Sequence, residues 1–143
     1  MDLALGGKEE NKQLVIRRMR FFKIKSFYLL EFKGFGDGSI GVFDERISSN
    51  GGKVSTIRAH NSWVVSTHLV SDNPVAITSC VTGGVKFWDL RTMHSFHQID
   101  SSKTKSPVTS LAVHSCAPLL ALGSHAQFIN IMTFNGSQIG KIT

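Results

Sequence analysis

Apolar and polar residues alternate over short stretches along most of the chain, and turn-forming residues separate these stretches. Two examples are Val75–Cys80 and Val108–Val113, each bounded by proline, glycine, serine or threonine within three residues. A period of two places successive side chains on opposite faces of a strand, and runs of four to eight residues between turn signals are typical of all-β proteins. From residue 36 onward no helical period competes with this pattern. We therefore predict a fold of short strands joined by tight turns.

The strand pattern can be placed residue by residue. Asp37-Gly38 is a hairpin signal, because both central positions of the favoured two-residue turn want a positive φ. The predicted strands cover residues 28–36, 40–43, 53–57, 63–69, 75–80, 84–88, 95–99, 108–113, 119–123, 128–133 and 138–142.

The segment that ends in Trp88-Asp89 is repeated on either side. Residues 36–44 have the same order of glycine turn, alternating strand, aromatic residue and aspartate, and residues 128–133 are a more degenerate copy. Trp88 follows Phe43 by 45 residues, and Met132 follows Trp88 by 44. A period of about 40 to 45 residues with a Trp-Asp pair is the signature of a β-propeller blade. The chain is therefore predicted to be a partial WD-repeat β-propeller.

The length sets the number of blades. A closed ring needs roughly four to eight blades of four strands, whereas 143 residues hold at most about three blades. We expect about two and a half blades, a ring that is not closed, and a chain that is a fragment of a larger protein. The predicted blades cover residues 34–58, 59–103 and 104–143, preceded by an atypical segment at 1–33.

The N-terminal segment differs from the rest in charge. The chain has a net charge of +6, and residues 1–35 contain eight Lys and Arg against four acids. A basic stretch can contact RNA or an acidic membrane surface, so binding through residues 12–25 is one alternative function. This stretch does not fit the repeat, and residues 1–33 are interpreted as either disordered or a mispredicted chain start. We accordingly expect protein partners and no nucleic acid.

Composition narrows the cellular setting. No stretch reaches 18 uninterrupted apolar residues, so no transmembrane segment is expected. Cys80 and Cys116 have neither the number nor the spacing of a disulfide framework. Reduced thiols and a cytoplasmic location follow as expectations.

One group of polar residues fits a structural role. WD blades link a His before the innermost strand, a Ser or Thr on the second strand, an Asp in the following turn and a Trp on the third strand. A buried network whose members are all satisfied fixes strand register. His60, Thr78 and Trp88 occupy three of these places, and we assign them, with Asp89, to the blade structure. Thr82 stands where the Asp is expected, so this network is predicted to be incomplete.

The other two units are predicted to lack the network. Phe43 replaces the tryptophan in the first unit. The four places in the third unit are taken by Thr104, Leu122, Ala126 and Met132.

No combination of residues points to catalysis. His60 has neither a carboxylate nor a nucleophile placed with it in the sequence. His94 and His97 are three residues apart, but they fall in a predicted turn and outer strand, and zinc requires three or four converging ligands. We expect no enzyme activity, no catalytic residue, no cofactor and no metal.

Exposed strand ends supply candidates for protein contact. Residues 88–91 read Trp-Asp-x-Arg, and in some WD-repeat proteins such an arginine docks onto the adaptor of a cullin–RING ubiquitin ligase. A substrate receptor of such a ligase is therefore an alternative function. The candidate interaction residues are Arg46, Arg58, Trp63 and Arg91.

Several short sequence words resemble a particular family. They are GDGSI at 36–40, VFD at 42–44, RAH at 58–60, WVV at 63–65, LAVH at 111–114, LGS at 122–124 and QF at 127–128. In this order they resemble the C-terminal propeller of the Raptor family, the scaffold subunit of TOR complex 1, over roughly residues 34–143. The resemblance implies a non-enzymatic interaction module in nutrient-responsive TOR signalling. It also implies partners within the TOR kinase complex and recruitment to the lysosomal surface as part of that complex.

Overall fold

The computed structural model describes residues 22–24, 28–44, 46–70, 74–101 and 106–143. These ranges contain β-strands and one short 3-10 helix, Ser49–Gly52. The strands are β1 (Phe22–Ile24), β2 (Tyr28–Gly34), β3 (Ser39–Asp44), β4 (Lys53–Arg58), β5 (Val64–Leu69), β6 (Val75–Cys80), β7 (Gly84–Asp89), β8 (His94–Asp100), β9 (Val108–Val113), β10 (Leu119–Ser124), β11 (Ile129–Thr133) and β12 (Gln138–Ile142).

The strands form three four-stranded antiparallel sheets. Each sheet is a meander in which neighbours in sequence are neighbours in space: β1 to β4, β5 to β8 and β9 to β12. Adjacent strands of this kind can be joined by short hairpin connections. The all-β, WD-type architecture predicted from the alternating pattern is confirmed, and the ring is open.

The predicted strands coincide with the observed ones except at their ends. Boundaries differ by at most two residues, and β6, β9 and β12 match the prediction. The first sheet is larger than expected, because β1 lies upstream of the repeat pattern and pairs with β2 through Phe22↔Leu30 and Ile24↔Tyr28. The first sheet is thereby extended by a strand of three residues. Residue 33, the expected end of the atypical segment, lies inside β2, while residues 1–21 lie outside the described part.

The three inner strands of the second sheet, β5 to β7, are largely buried on both faces, whereas its outer strand β8 is largely exposed. One face packs on the first sheet, and the other packs on the third. The apolar residues buried between the first and second sheets are Phe32, Ile40, Val42, Ala59, Val64, Leu69, Ala76, Trp88 and Leu90. The apolar residues buried between the second and third sheets are Ile77, Val85, Phe87, Ile99, Val108, Leu111, Leu120, Leu122 and Met132.

This packing explains the composition of β6. Its residues from Ala76 to Cys80 are all buried, and its polar side chains, Thr78 and Ser79, are small and uncharged. The outermost strands β4 and β12 are largely exposed by contrast. The middle of the chain is thus the most constrained part of the fold.

A glycine holds the first two sheets together at their loops. Gly38 has φ of +86°, in the left-handed region that favours glycine. Its carbonyl accepts hydrogen bonds from the amides of Ala59 (3.1 Å) and His60 (2.8 Å). A Cβ at this position would overlap the His60 carbonyl group. The β2–β3 turn can therefore rest on the backbone before β5 only with glycine here.

Candidate functional site

The connections between strands lie on two opposite edges of the sheets, because successive strands run antiparallel. The upper edge contains the connections after the even-numbered strands, which include residues 35–38, 59–63, 81–83 and 125–128. The lower edge contains the connections after β3, β5, β7, β9 and β11, which include residues 46–52, 90–93, 114–118 and 134–137.

The four candidate interaction residues divide between these edges. Arg58 and Trp63 lie at the upper edge, where Trp63 is 55% exposed and the Arg58 side chain is exposed as well. Arg46 and Arg91 lie at the lower edge. The structure therefore places two of them at each edge, and neither edge contains all four.

Arg46 is held by a neighbouring carboxylate. Its Nε lies 3.0 Å from Oδ1 of Asp44 and its Nη2 lies 2.8 Å from Oδ2, in the two-point geometry that suits guanidinium and carboxylate. The Arg46 amide donates to the same carboxylate at 3.0 Å. These bonds lower the pKa of Asp44 from 3.8 to about 2. The guanidinium is thus already oriented by the chain itself.

Arg91 is far less restrained. Its amide donates to Oδ1 of Asp89 at 2.8 Å, whereas its Nε lies 3.6 Å away and its side chain is 76% exposed. The hydrogen bond from the Arg91 amide is the largest cause that lowers the pKa of Asp89. Asp89 therefore stabilises the turn after β7, and its carboxylate lies at the lower edge, where its hydrogen-bond donor is the Arg91 amide.

A buried hydrogen-bond relay crosses the second sheet. The indole Nε1 of Trp88 donates to Oγ1 of Thr78 at 2.9 Å, and Nε2 of His60 lies 2.8 Å from the same hydroxyl. All three residues are buried. An indole nitrogen can only donate, and a hydroxyl has one proton. The Thr78 hydroxyl therefore accepts the indole proton and forms a second hydrogen bond with Nε2 of His60.

A second group of polar side chains lies near the upper end of this relay. Oγ1 of Thr82 lies 3.2 Å from Sγ of Cys80 and 3.0 Å from Oγ of Ser62. Burial of Cys80 raises its thiol pKa, but hydrogen bonds with His60, Ser62 and Thr82, together with the charge of His60, outweigh it. The net result is a pKa lowered from 9.0 to about 6.

Cys80 is not a candidate from the sequence pattern, because the repeat places a carboxylate in the turn at this end of the network. A usable signal exists in the strand period. Residues two apart on a strand share a face, and Cys80 is two residues beyond Thr78. Thr82, at the place expected for the aspartate, contacts this face of β6 through its hydrogen bond with Sγ of Cys80.

The first and third units replace the relay in different ways. Phe43 is partly buried, with Nζ of Lys33 4.5 Å from its ring centroid. Leu122 and Met132 pack in the apolar layer against the second sheet. Ala126 lies in the β10–β11 turn, and Thr104 lies outside the described residues.

The two histidines weighed as metal ligands have separate backbone partners. Nδ1 of His94 lies 2.6 Å from the carbonyl oxygen of Thr92, and Nε2 of His97 lies 2.8 Å from that of Phe134. Within the ranges that the structure describes, no three His, Cys, Asp or Glu side chains converge as metal ligands would.

An apolar groove that the sequence did not reveal lies between the second and third sheets. Its volume is about 420 Å³. The ring of Phe87 lies 5.2 Å from the rings of His97 and Phe134 and 6.3 Å from that of Phe96, measured between centroids. The remaining lining residues are Val70, Val75 and Asn135. Phe96 is 61% exposed, so the groove opens at the outer strand.

One negative finding concerns membranes. Among the residues with described coordinates, no helix has the length and apolar character needed to cross a bilayer.

The stacked four-stranded meanders, the near-45-residue repeat and the Trp–Thr–His relay define a segment of a WD-repeat β-propeller. No protein-family profile matches the chain. The chain is 33% identical over 115 residues to the Protein raptor homolog of Dictyostelium discoideum, covering 76% of this chain and 7% of that protein. It is 36% identical over 107 residues to the target of rapamycin complex 1 subunit mip1 of Schizosaccharomyces pombe, covering 74% and 8%. It belongs to the Raptor family, in the C-terminal WD-repeat region.

A solved structure agrees with this assignment. Raptor of Chaetomium thermophilum superimposes with a TM-score of 0.70 at 25% identity, over 79% of this chain and 10% of that one. A relative of another kind is the human DDB1- and CUL4-associated factor 4, which is 31% identical over 86 residues, or 59% of this chain and 17% of that protein. The chain spans less than a tenth of the length of the Raptor relatives it matches.

Proposed function

We propose that the chain is a non-enzymatic, protein-binding segment of a TOR complex 1 scaffold subunit that acts in nutrient-responsive TOR signalling. The observation that carries the proposal is the sequence identity of 33–36% to a raptor homolog and to a target of rapamycin complex 1 subunit, over about three quarters of the chain. The setting is the cytoplasm, with recruitment to the lysosomal surface as part of the complex. Propellers act mainly as rigid platforms, and the packed second sheet is consistent with such a role.

The contact surface proposed for this role is the upper edge around Trp63 and Arg58. Tryptophan and arginine are enriched among residues that dominate binding energy. The Trp63 side chain is 55% exposed, while its carbonyl accepts a hydrogen bond from the Val81 amide at 2.9 Å. The next amide, that of Val64, donates to the Phe35 carbonyl at 3.2 Å. A fixed backbone that presents an exposed indole loses little entropy on binding.

Affinity capture tests this proposal. The gene product that contains this chain, tagged and expressed at its own level, is expected to recover TOR kinase. Because a central tryptophan can be worth 2 kcal/mol or more, Trp63→Ala should reduce this recovery about tenfold or more.

Phe96→Ala is the matched control for Trp63→Ala. Phe96 is an aromatic residue of similar exposure, 61%, on the outer strand β8. Recovery should be unchanged in this variant. Equal losses in both variants would refute the upper edge as the contact, and absence of TOR kinase from the unaltered capture would refute the proposal as a whole.

The second candidate function is a substrate receptor of a cullin–RING ubiquitin ligase. It rests on Arg91, whose guanidinium is 76% exposed after a turn stabilised by Asp89. This function predicts recovery of a cullin adaptor that is lost with Arg91→Ala and retained with Arg46→Ala. That result, without TOR kinase, would favour the second candidate over the first.

A further inference from the structure

We propose that Ser106 is a phosphorylation site for a proline-directed protein kinase, and that the β10–β11 turn holds the phosphate. The proposal concerns the upper edge of the third sheet and is independent of the partner that the chain binds.

The residue after Ser106 defines the class of kinase. Ser106 is followed by Pro107, and this is the only place in the 143 residues where a proline follows a serine or threonine. A proline has no amide hydrogen, so a kinase pocket that receives it has no such donor to satisfy. A kinase that requires proline after the acceptor serine therefore has a single acceptor in this chain.

Both residues lie at the surface between two strands. β8 ends at Asp100 and β9 begins at Val108, so neither Ser106 nor Pro107 belongs to a strand. Ser106 is partly exposed and Pro107 is exposed. The Pro107 carbonyl accepts a hydrogen bond from the His125 amide at 2.9 Å, which places the segment beside the β10–β11 turn.

The turn directs two donors at the oxygen that would carry the phosphate. The Ser124 hydroxyl donates to Oγ of Ser106 at 2.8 Å, and the Ala126 amide donates to the same oxygen at 3.1 Å. A phosphate adds three strong acceptor oxygens and a charge of about −1.5 to −2. Hydrogen bonds to an ionised acceptor are roughly twice as strong as neutral ones. The same donors can therefore hold a phosphate on Ser106 more strongly than they hold its hydroxyl.

The charge of the third sheet also suits an anion. Residues 106–143 contain no aspartate and no glutamate. The acidic residue nearest to Ser106 along the chain is Asp100, at the end of β8. Acidic side chains beside a phosphate would oppose it by repulsion of like charges, and the third sheet supplies none.

The reaction is a phosphoryl transfer from ATP. The catalytic aspartate of the kinase takes the proton of the Ser106 hydroxyl as its oxygen forms a bond to the γ-phosphorus. The bond from that phosphorus to the bridging oxygen of ADP breaks, and ADP leaves with the electron pair. The upper edge thereby exchanges a neutral hydroxyl for a dianion.

Phosphorylation of the whole chain by a purified mitogen-activated protein kinase tests the site. With magnesium and ATP, tandem mass spectrometry should find the phosphate on Ser106. Pro107→Ala should abolish the reaction, whereas Pro118→Ala, at an exposed proline just before β10, should leave it unchanged. The site is refuted if Ser106 stays unmodified while a peptide of residues 101–112 is phosphorylated, or if Pro107→Ala reacts at the same rate.

Phosphorus NMR tests whether the turn holds the phosphate. Donors that bind the dianion favour it over the monoanion, and the second ionisation of a free phosphoserine lies near about pH 6. The phosphorylated chain should therefore titrate at a lower pH than the phosphorylated peptide. Ser124→Ala should move the midpoint toward that of the peptide, whereas Ser137→Ala, in the exposed β11–β12 turn, should not. Equal midpoints in chain and peptide would overturn the role of the turn.

Discussion

Replacing Thr78 by valine is expected to lower the free energy of unfolding by about 3 kcal/mol, because each buried polar group left without a partner costs about 1–3 kcal/mol. Valine has nearly the shape of threonine, so the substitution leaves no cavity. It removes the acceptor of the Trp88 indole and the hydrogen-bond partner of His60 at once. Thr78 is fully buried, so water cannot replace either bond. The measurement is the urea midpoint followed by circular dichroism.

Two variants make this result interpretable. Thr78→Ser keeps the hydroxyl and should retain most of the stability. Thr56→Val makes the same exchange at an exposed position of β4 and should change stability by no more than about 0.5 kcal/mol. If Thr78→Val behaves like Thr56→Val, the relay contributes nothing to the stability of the second sheet.

Gly38→Ala is expected to have a comparable or larger effect, by a different cause. A non-glycine residue in the left-handed region costs about 1–2 kcal/mol, and at this position a Cβ would also overlap the carbonyl group of His60. The β2–β3 turn must then move away from the backbone before β5. We expect a total loss of about 3 kcal/mol or more, since relief of the overlap breaks the bonds from Ala59 and His60 to the Gly38 carbonyl.

Gly51→Ala isolates the conformational part of this effect. Gly51 also has a positive φ, +62°, but an added Cβ there would meet nothing within 4 Å. It should therefore lose only the conformational part, about 1–2 kcal/mol. Equal midpoints for the two alanine variants would mean that contact between the first two sheets does not depend on Gly38.

The strands were predictable because their signals are local. The alternating pattern and the turn residues place β3 to β12 within two residues of their observed ends. β1 was not predictable in this way, because its neighbourhood is basic and its place in the sheet comes from pairing with β2. A strand defined mainly by its partner leaves little trace in its own sequence.

The site was predictable only where residue types follow a known spacing. His60, Thr78 and Trp88 could be chosen from the repeat alone, whereas nothing in the repeat singles out Cys80, which lies two residues beyond Thr78 on the same face of β6. The groove depends on a contact between His97 and Phe134, which are 37 residues apart and lie on different sheets. Predicting that Arg46 and Trp63 lie at opposite edges also requires the strand order of the sheets. The local sequence around either residue does not show at which edge it lies.

The position of the second sheet has a consequence for solvent exchange. Strands β6 and β7 have hydrogen-bonded neighbours on both sides and a packed sheet on each face. Water can therefore reach their amide hydrogens only when the stacked sheets come apart, whereas the edge strands β4 and β12 can open locally. Deuterium uptake should be slowest in β6 and β7, and their exchange rate would report the free energy at which the whole stack unfolds.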